Sequence, residues 1–215
     1  MKRLLQISFV LAALFGATHA MAQSAEAGKG KVAMCQGCHS IVGYQASFPE
    51  IYKVPMIAGQ NPKYLVAALG EYAKGERKHP TMRGIAGSLT EADMADVAAY
   101  YEQLGKSVPA PVMPDVQPTG AVAELLKKGN CASCHGANFS KPLTGGEPKL
   151  AGQHADYLFA ALKSYQTSGN KLVGRENAIM AGQVKDFSHA ELKEIATYLA
   201  SLPGELHSVP ESRFR

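Results

Sequence analysis

All four cysteines of the chain lie in two pentapeptides of the form C-x-x-C-H, at residues 35–39 and 131–135. The thiols are those of Cys35, Cys38, Cys131 and Cys134. This pentapeptide is the attachment motif of c-type haem, which is held by two thioether bonds. Because the two motifs use every cysteine, we expect each motif to hold one covalently bound haem c.

The spacing within each motif explains how it would hold a haem. Residues i, i+3 and i+4 share one face of a helical turn. Both thiols of a motif can therefore reach the two vinyl groups along one porphyrin edge. The imidazole of His39, or of His135 in the second motif, then approaches the iron as the proximal axial ligand.

Three other uses of paired cysteines fit this pattern less well. A dithiol redox motif does not require a following histidine, and a four-cysteine zinc ribbon separates its pairs by about 15 to 20 residues. Here 92 residues separate Cys38 from Cys131. Disulfides are common in exported proteins, but they would not account for the two histidines.

An internal repeat indicates the second axial ligand. A shift of 96 residues superposes the two cysteine motifs, and a shift of 93 places the run A-G-Q-x-x-x-Y-L at residues 58–65 on residues 151–158. A site that occurs twice should use a residue that occurs twice. With a shift of 98 residues Met82 falls on Met180, so we expect these methionines to be the distal iron ligands.

The other methionines and histidines lack such counterparts. Met34 falls on Asn130, Met56 on Lys149 and Met94 on Leu192. Methionine is also a common filler of hydrophobic cores. His79 falls on Asn177 and His154 on Asn61. Ligation of an iron by two histidines is therefore the weaker alternative.

Helix signals recur in both halves and predict an all-α fold. In the first half they predict helices over residues 25–36, from Pro62 to Lys74 with Asn61 as N-cap, and from Thr90 to Leu104 with a stop at Gly105. In the second half they predict helices over residues 121–129 and 154–168, and from Ser188 to near Pro203.

The leader and a proline-rich stretch divide the chain. Residues 1–22 have two basic residues, an apolar run of 14 and an A-x-A site, which is typical of a cleaved secretory signal. Such a run is too short to span a bilayer, which needs about 20 residues. We therefore expect a soluble periplasmic protein. The expected segments are a signal peptide at 1–22, an N-terminal haem domain at 23–108, a stiff proline-rich linker at 109–119 and a C-terminal haem domain at 120–215.

The charge and composition disfavour a nucleic-acid binder. Loss of the leader lowers the formal charge from +4 to +2, no Lys/Arg block occurs, and tryptophan is absent. Basic residues near the two methionines form either docking patches for an acidic partner or an ordinary solvated face. They are Lys74, Arg77, Lys78, Lys141, Lys171 and Arg175.

Each loop between a cysteine motif and the A-G-Q run contains a proline at the same distance from that run. These residues are Pro55 and Pro148. Their carbonyl groups are candidates to accept a hydrogen bond from the proximal imidazole, which would fix its tautomer. The alternative is a plain turn proline.

The chain resembles the two-haem cytochrome c4 family over residues 25–203, through its two C-x-x-C-H motifs, the A-G-Q-x-x-x-Y-L run and a methionine 43 or 45 residues after each histidine. The resemblance implies two tandem class I cytochrome c domains related by pseudo-twofold symmetry. It also implies that the haems are close enough for internal electron transfer and that the protein passes electrons to a terminal oxidase. In the family a glycine follows the proximal histidine, as Gly136 does, whereas Ser40 follows His39. The first loop also carries extra aromatic residues, namely Tyr44, Phe48 and Tyr52.

An iron held by histidine and methionine has no open position, which favours electron transfer over catalysis. We therefore expect a two-haem electron carrier in a periplasmic respiratory chain, whose partners are redox proteins such as a membrane oxidase or reductase complex. The alternative is the cytochrome subunit of a dehydrogenase complex. A two-haem peroxidase would need one open iron, and the sequence offers no displaceable ligand or separate acid/base cluster.

Overall fold

The computed structural model describes residues 24–109, 112 and 117–211, and within these ranges the chain forms two helical domains. The N-terminal domain contains α1 (Ala25–Lys29), α2 (Ala33–His39), α3 (Pro62–Lys74), α4 (Pro80–Ala86) and α5 (Glu91–Lys106). The C-terminal domain contains α6 (Gly120–Lys128), α7 (Ala132–His135), α8 (Ala155–Gln166), α9 (Ala178–Val184) and α10 (His189–Ser201). A short antiparallel hairpin of β1 (Gln45–Ala46) and β2 (Tyr52–Lys53) interrupts the first loop. The predicted all-α class is confirmed.

Each domain buries its core around its last helix. In the first domain α5 packs against α1 and α3, and in the second α10 packs against α6 and α8. The buried face of α10 carries Leu192, Ile195 and Leu199 at the spacing of one helical stripe. The two methionine helices pack beside these cores, α4 against α3 and α9 against α8.

The starts of the last helices are confirmed. Capping boxes form between Thr90 and Asp93 at α5 and between Ser188 and Glu191 at α10. The predicted stop at Gly105 is wrong, because α5 continues to Lys106. This glycine instead allows close packing, since a Cβ there would lie 2.1 Å from the Cα of Gly59.

The single helix predicted over residues 25–36 is also wrong, since the chain forms two short helices there. Gly30 caps α1, and α2 starts after Val32, whose side chain is fully buried. Gly28 lies so close to α5 that a Cβ would meet the carbonyl oxygen of Asp96 at 2.1 Å. The break lets α1 pack tightly while α2 turns the cysteine motif toward the centre of the molecule.

The cap predicted at Asn61 is only partly correct. Helix α3 does begin at Pro62, but the Asn61 side chain makes no capping hydrogen bond. Its Nδ2 donates to the carbonyl oxygen of Glu147 in the other domain, at 2.9 Å. A residue that the sequence marks as a local cap therefore makes a contact between domains.

Direct contacts join the two domains. After α10 the chain returns to the first domain, where the backbone N–H of His207 donates to the carbonyl oxygen of Ala58 at 3.0 Å, and Val209 packs against the N-terminal core. Residues 110, 111 and 113–116 of the expected linker, and the whole expected signal peptide, lie outside the described residues. The contacts that the structure describes are therefore those of the domain surfaces and the C-terminal tail.

Candidate functional site

The two proximal histidines are held in the same way. His39 ends α2 and His135 ends α7. The Nδ1 of His39 lies 2.8 Å from the carbonyl oxygen of Pro55, and that of His135 lies 3.1 Å from the carbonyl oxygen of Pro148. Because a carbonyl only accepts, Nδ1 carries the proton and Nε2 keeps the lone pair that binds a metal. The proposed role of the two proline carbonyls is confirmed.

Burial also favours the ligating form of these imidazoles. Desolvation lowers the pKa of His39 and of His135, and the hydrogen bond to the proline carbonyl opposes this effect. Desolvation is the larger cause in both cases. Each ring is therefore held neutral, as a metal ligand must be.

The first thiol of each motif does not have the character of a redox-active cysteine. None of the four thiols is in a disulfide. Burial raises the pKa of the Cys35 thiol to about 11 and raises that of Cys131 as well. Reactive dithiols depend on a lowered thiol pKa, so the dithiol alternative fits this environment poorly.

Two short helices position the methionines. Met82 lies in the first turn of α4 and Met180 in the first turn of α9. The residue before each helix caps it: His79 Nδ1 accepts from the backbone N–H of Met82 at 3.3 Å, and Asn177 Oδ1 accepts from that of Met180 at 3.0 Å. The overlay of His79 on Asn177 in the repeat is thus explained by a shared capping role.

One cavity of about 370 Å³ extends through both domains. This volume lies within the range of about 300–1,000 Å³ that small-molecule and cofactor sites occupy. Its walls include Cys35, Cys38, His39, Met82, His135 and Met180. Met34 and Met56 line the cavity too, whereas Met94 is buried in the N-terminal core. The structure therefore brings each histidine and its predicted methionine to one cavity, and the repeat distinguishes these methionines from the other two that line it.

A cluster of arginines and tyrosines lines the same cavity where the domains meet, and sequence reasoning missed it. Arg77 Nη1 donates to the hydroxyl of Tyr64 at 3.1 Å, and Arg175 Nη2 donates to that of Tyr157 at 3.1 Å. The two arginines face each other in an isolated antiparallel bridge. Each guanidinium also lies over tyrosine rings at 5.3 to 5.6 Å: Tyr64 and Tyr72 for Arg77, Tyr157 and Tyr165 for Arg175. The repeat could have revealed this cluster, because the 93-residue shift places Tyr64 and Tyr72 on Tyr157 and Tyr165.

This cluster corrects one expectation. Arg77 is only 4% exposed, so it does not belong to a surface patch for an acidic partner. Its buried Nε has no hydrogen-bond partner among the described residues. Its Nη2 already pairs with the Glu71 carboxylate at 2.8 Å, so the acceptor that Arg77 lacks is one for Nε. A haem c carboxylate can supply that acceptor. The residues that line the cavity therefore fit a haem, with Arg77 and Arg175 as the groups that would hold its propionates.

Comparisons with known proteins agree with this geometry. A family model described as cytochrome c matches residues 25–105 and 121–203. Cytochrome c4 of Stutzerimonas stutzeri is 31% identical over 203 residues, which cover 87% of this chain and 92% of the relative. The thiosulfate dehydrogenase electron acceptor of Thiomonas intermedia is 30% identical over 220 residues, covering 94% of this chain and 92% of that protein. The crystal structure of reduced cytochrome c4 from Pseudomonas stutzeri superposes with a TM-score of 0.59 at 27% identity, covering 84% of this chain and all of that one.

These relatives are electron-transfer proteins rather than enzymes. Together with the two attachment motifs, the matches establish two covalently bound haem c groups. They also establish tandem cytochrome c domains related by pseudo-twofold symmetry. The chain belongs to the two-haem cytochrome c4 family.

Proposed function

We propose that this cytochrome carries single electrons through a periplasmic respiratory chain to a terminal oxidase. In this proposal the four cysteines would form the covalent bonds to the haems, and a histidine imidazole and a methionine sulfur would hold each iron. The ligand pairs are His39 with Met82 and His135 with Met180. The haem irons supply a one-electron Fe(III)/Fe(II) couple, and thioether ligation raises its potential.

The main observation in support is that each domain presents one histidine and one methionine to the shared cavity. Each imidazole has Nδ1 bound to a proline carbonyl, so that Nε2 is available, and each sulfur lies on a helix that is capped at its start. Two protein ligands for each iron leave no position for a substrate. The surrounding apolar side chains exclude water, which keeps the energy of charge rearrangement small. Among them are Leu65, Leu69, Val97, Leu158, Leu162 and Leu199.

The location and the segment boundaries form part of the proposal. Export is supported by the leader at residues 1–22, with cleavage before Gln23. No helix among the described residues is long and apolar enough to cross a membrane. We place the N-terminal domain at residues 23–108, the linker at 109–119 and the C-terminal domain at 120–215, ranges that contain the two matches to the family model.

Carbon monoxide tests whether both irons are closed. Reduced wild-type protein with both haems should not bind carbon monoxide rapidly at neutral pH, because both axial positions are taken. Met82→Ala and Met180→Ala should each bind one equivalent, which provides the positive control. Rapid binding by the wild type would contradict the proposed ligand set.

The terminal oxidase is tested with membranes of the host organism. Reduced protein added to these membranes should be oxidised in a cyanide-sensitive reaction, and it should elute alone when a native periplasmic extract is separated by gel filtration. Oxidation that cyanide does not affect, or no oxidation, would contradict an oxidase as the acceptor.

A second candidate rests on the relative from Thiomonas intermedia, which is described as the electron acceptor of a thiosulfate dehydrogenase. In this case the cytochrome receives electrons from a dehydrogenase, as a separate acceptor or as its subunit. Thiosulfate and a purified thiosulfate dehydrogenase should then reduce the oxidised protein within the turnover time of that enzyme. Co-elution with a dehydrogenase activity would favour a subunit, whereas elution alone would favour a mobile carrier.

A further inference from the structure

Gln153, the last residue of the second A-G-Q run, reaches across to the backbone of the first domain. Its Oε1 accepts from the backbone N–H of Met56 at 3.0 Å, and its Nε2 donates to the carbonyl oxygen of Met56 at 2.9 Å. The backbone N–H of His154 also donates to Oε1, at 3.1 Å. These partners assign the oxygen and nitrogen ends of the amide. The side chain is buried, at 3% exposure of the residue.

Gln60 makes the reciprocal contact. Its Oε1 accepts from the backbone N–H of Lys149 at 2.9 Å, and its Nε2 donates to the carbonyl oxygen of Lys149 at 3.0 Å. The backbone N–H of Asn61 donates to the same Oε1 at 2.9 Å. The two glutamines are thus equivalent under the pseudo-twofold relation, and each one binds the domain to which it does not belong.

The glycine before each glutamine fixes its direction. Gly59 and Gly152 have φ angles of +87° and +76°, in the left-handed region that favours glycine. Their backbone N–H groups donate to the carbonyl oxygens of Tyr101 and Leu199, both at 2.9 Å. Each glutamine is therefore anchored to the last helix of its own domain and points out of it from a fixed backbone.

The peptide group that Gln153 binds is the one that holds the proximal histidine of the first haem. The carbonyl of Pro55 and the N–H of Met56 belong to one peptide unit. Its oxygen accepts from His39 Nδ1 at 2.8 Å while its N–H donates to Gln153. In the second domain the peptide between Pro148 and Lys149 stands in the same relation to His135 and Gln60.

We propose that Gln60 and Gln153 are positioning residues that tune the iron of the opposite domain, by polarising the peptide group to which its proximal histidine is hydrogen-bonded. This inference rests on the proposed ligation of the irons by His39 and His135. It assigns to the domain contact a role in setting the two potentials, in addition to holding the domains together.

The direction of the effect follows from hydrogen-bond polarisation. Linked hydrogen bonds strengthen one another, so a peptide whose N–H is bound to a glutamine oxygen has a more negative carbonyl oxygen. That oxygen draws the Nδ1 proton of the histidine more strongly, which makes the imidazole a more basic ligand. A more basic ligand stabilises Fe(III) and lowers the potential. Loss of the glutamine oxygen should therefore raise the potential of the opposite haem.

A glutamine that only held the domains together would have the opposite effect. Loosening the interface admits water to the cavity, and water stabilises the more highly charged oxidised iron. The potentials would then fall, and both haems would be affected because the cavity is shared. The sign of the shift and the haem that shifts distinguish the two roles.

The test is a redox titration of the protein with both haems attached, in which the haems are assigned by NMR. Gln153→Met should raise the potential of the N-terminal haem and leave that of the C-terminal haem unchanged. Gln60→Met should raise the potential of the C-terminal haem and leave that of the N-terminal haem unchanged. Gln153→Glu keeps an oxygen acceptor for Met56, so it should not raise the potential of the N-terminal haem. If Gln153→Met fails to fold with both haems, Gln153→Glu tests the inference alone, by lowering the potential of the N-terminal haem more than that of the other.

The control is Gln166→Met. Gln166 Nε2 donates to the carbonyl oxygens of Val184 and Phe187 within the C-terminal domain, at 2.6 and 2.8 Å. The Gln166→Met substitution should leave the potential of the N-terminal haem unchanged. Three results for Gln153→Met or Gln60→Met would overturn the glutamine role alone: a fall in the potential of the opposite haem, a rise in that of the haem in the same domain, or no shift. Each result counts when both haems keep the near-infrared sulfur-to-iron band that reports methionine ligation. Absence of that band from the wild type would instead overturn the proposed ligand set.

Discussion

The two domains position their proposed iron ligands through equivalent hydrogen bonds but surround them with different charges. Backbone N–H groups of Arg77 and Arg175 donate to the carbonyl oxygens of Glu71 and Ser164, at 3.1 and 3.0 Å, so these positions are equivalent. The Glu71 carboxylate also pairs with Arg77 at 2.8 Å. Ser164 offers no charge, and its hydroxyl donates to Ala161 of its own helix. The second domain therefore has one uncompensated positive charge more at the cavity.

The loops that follow the two histidines differ as well. Pro55 lies 16 positions after His39, and Pro148 lies 13 positions after His135. The longer first loop forms the β1–β2 hairpin, which lies against α8 of the other domain. There Glu50 pairs with Lys163 at 2.5 Å, and the ring of Tyr52 packs against that of Tyr157 at 5.8 Å. The extra aromatic and charged residues of this loop thus make a domain contact without a counterpart in the second loop.

This difference separates two kinds of residue. Residues of the first kind repeat: the histidines and methionines place the same proposed iron ligands twice, and the two proline carbonyls accept the same hydrogen bond twice. Those that do not repeat, such as Glu71 and the hairpin, give two chemically equal irons unequal surroundings. A protein with two equal sites would have no preferred direction for electron transfer between them, so the unpaired features are where the inequality must be sought.

The largest expected effect concerns the two arginines. Arg77→Gln should destabilise the protein by about 3 kcal/mol, because it leaves a half-buried Glu71 carboxylate without its partner. Arg175→Gln should cost about 1.5 kcal/mol, since it removes a hydrogen bond to the Tyr157 hydroxyl but leaves no carboxylate without its partner. Denaturant unfolding of the protein with both haems measures the two losses, with the exposed Lys74→Gln as control. Equal losses of unfolding free energy in the two variants would show that the Glu71 carboxylate does not make the two arginine sites different.

Removal of the Glu71 carboxylate, which has no counterpart in the second domain, should narrow the difference in potential between the two haems. Glu71→Gln removes the carboxylate that pairs with Arg77, a residue of the cavity wall. It should raise the potential of the N-terminal haem by tens of millivolts, given that about 59 mV corresponds to a tenfold change for one electron. Glu102→Gln is the matched control, because Glu102 pairs with Lys106 within one helix. Redox titration measures both variants. An unchanged potential of the N-terminal haem in Glu71→Gln would mean that Glu71 does not contribute to the difference between the two haems.

The hairpin contact should have the smallest effect. A double-mutant cycle of Glu50→Gln and Lys163→Gln should give a coupling energy of about 0.2 to 1 kcal/mol, the range of partly exposed ion pairs. The cycle is measured by thermal unfolding at low and high salt, and the coupling should fall with salt because ions screen it. A coupling of zero at low salt would mean that the hairpin contributes no charge pairing to the domain contact.

Local signals explain what could be predicted from the sequence. The capping boxes at Thr90 and Ser188 act within three residues, and the two cysteine motifs act within one turn, so each could be recognised without knowledge of the fold. The repeat added the methionine pair by comparison of the chain with itself. The proline carbonyls were found in the same way, because their distance from the A-G-Q run is constant.

The missed features depend on contacts between distant segments. Gly105 is a typical helix stop when read locally, yet it serves the close approach of Gly59, 46 positions earlier. Asn61 is a typical cap, yet its amide binds Glu147. Arg77 is typical of a surface by residue type, yet it is buried, and its backbone pairs with that of Arg175 in the other domain. Residue type and local spacing do not encode which surface another domain will cover.

The ligand assignment is tested most directly by a redox titration of the wild type beside Met82→Ala and Met180→Ala, with near-infrared spectra of the same samples. We expect two high-potential transitions in the wild type, each accompanied by a sulfur-to-iron band. Each substitution should remove one transition and one band, since axial ligands set haem potentials over about 0.8 V. Met34→Ala and Met56→Ala remove other sulfurs that line the cavity and should keep both. Survival of both transitions and both bands in either Met82→Ala or Met180→Ala would contradict the assignment.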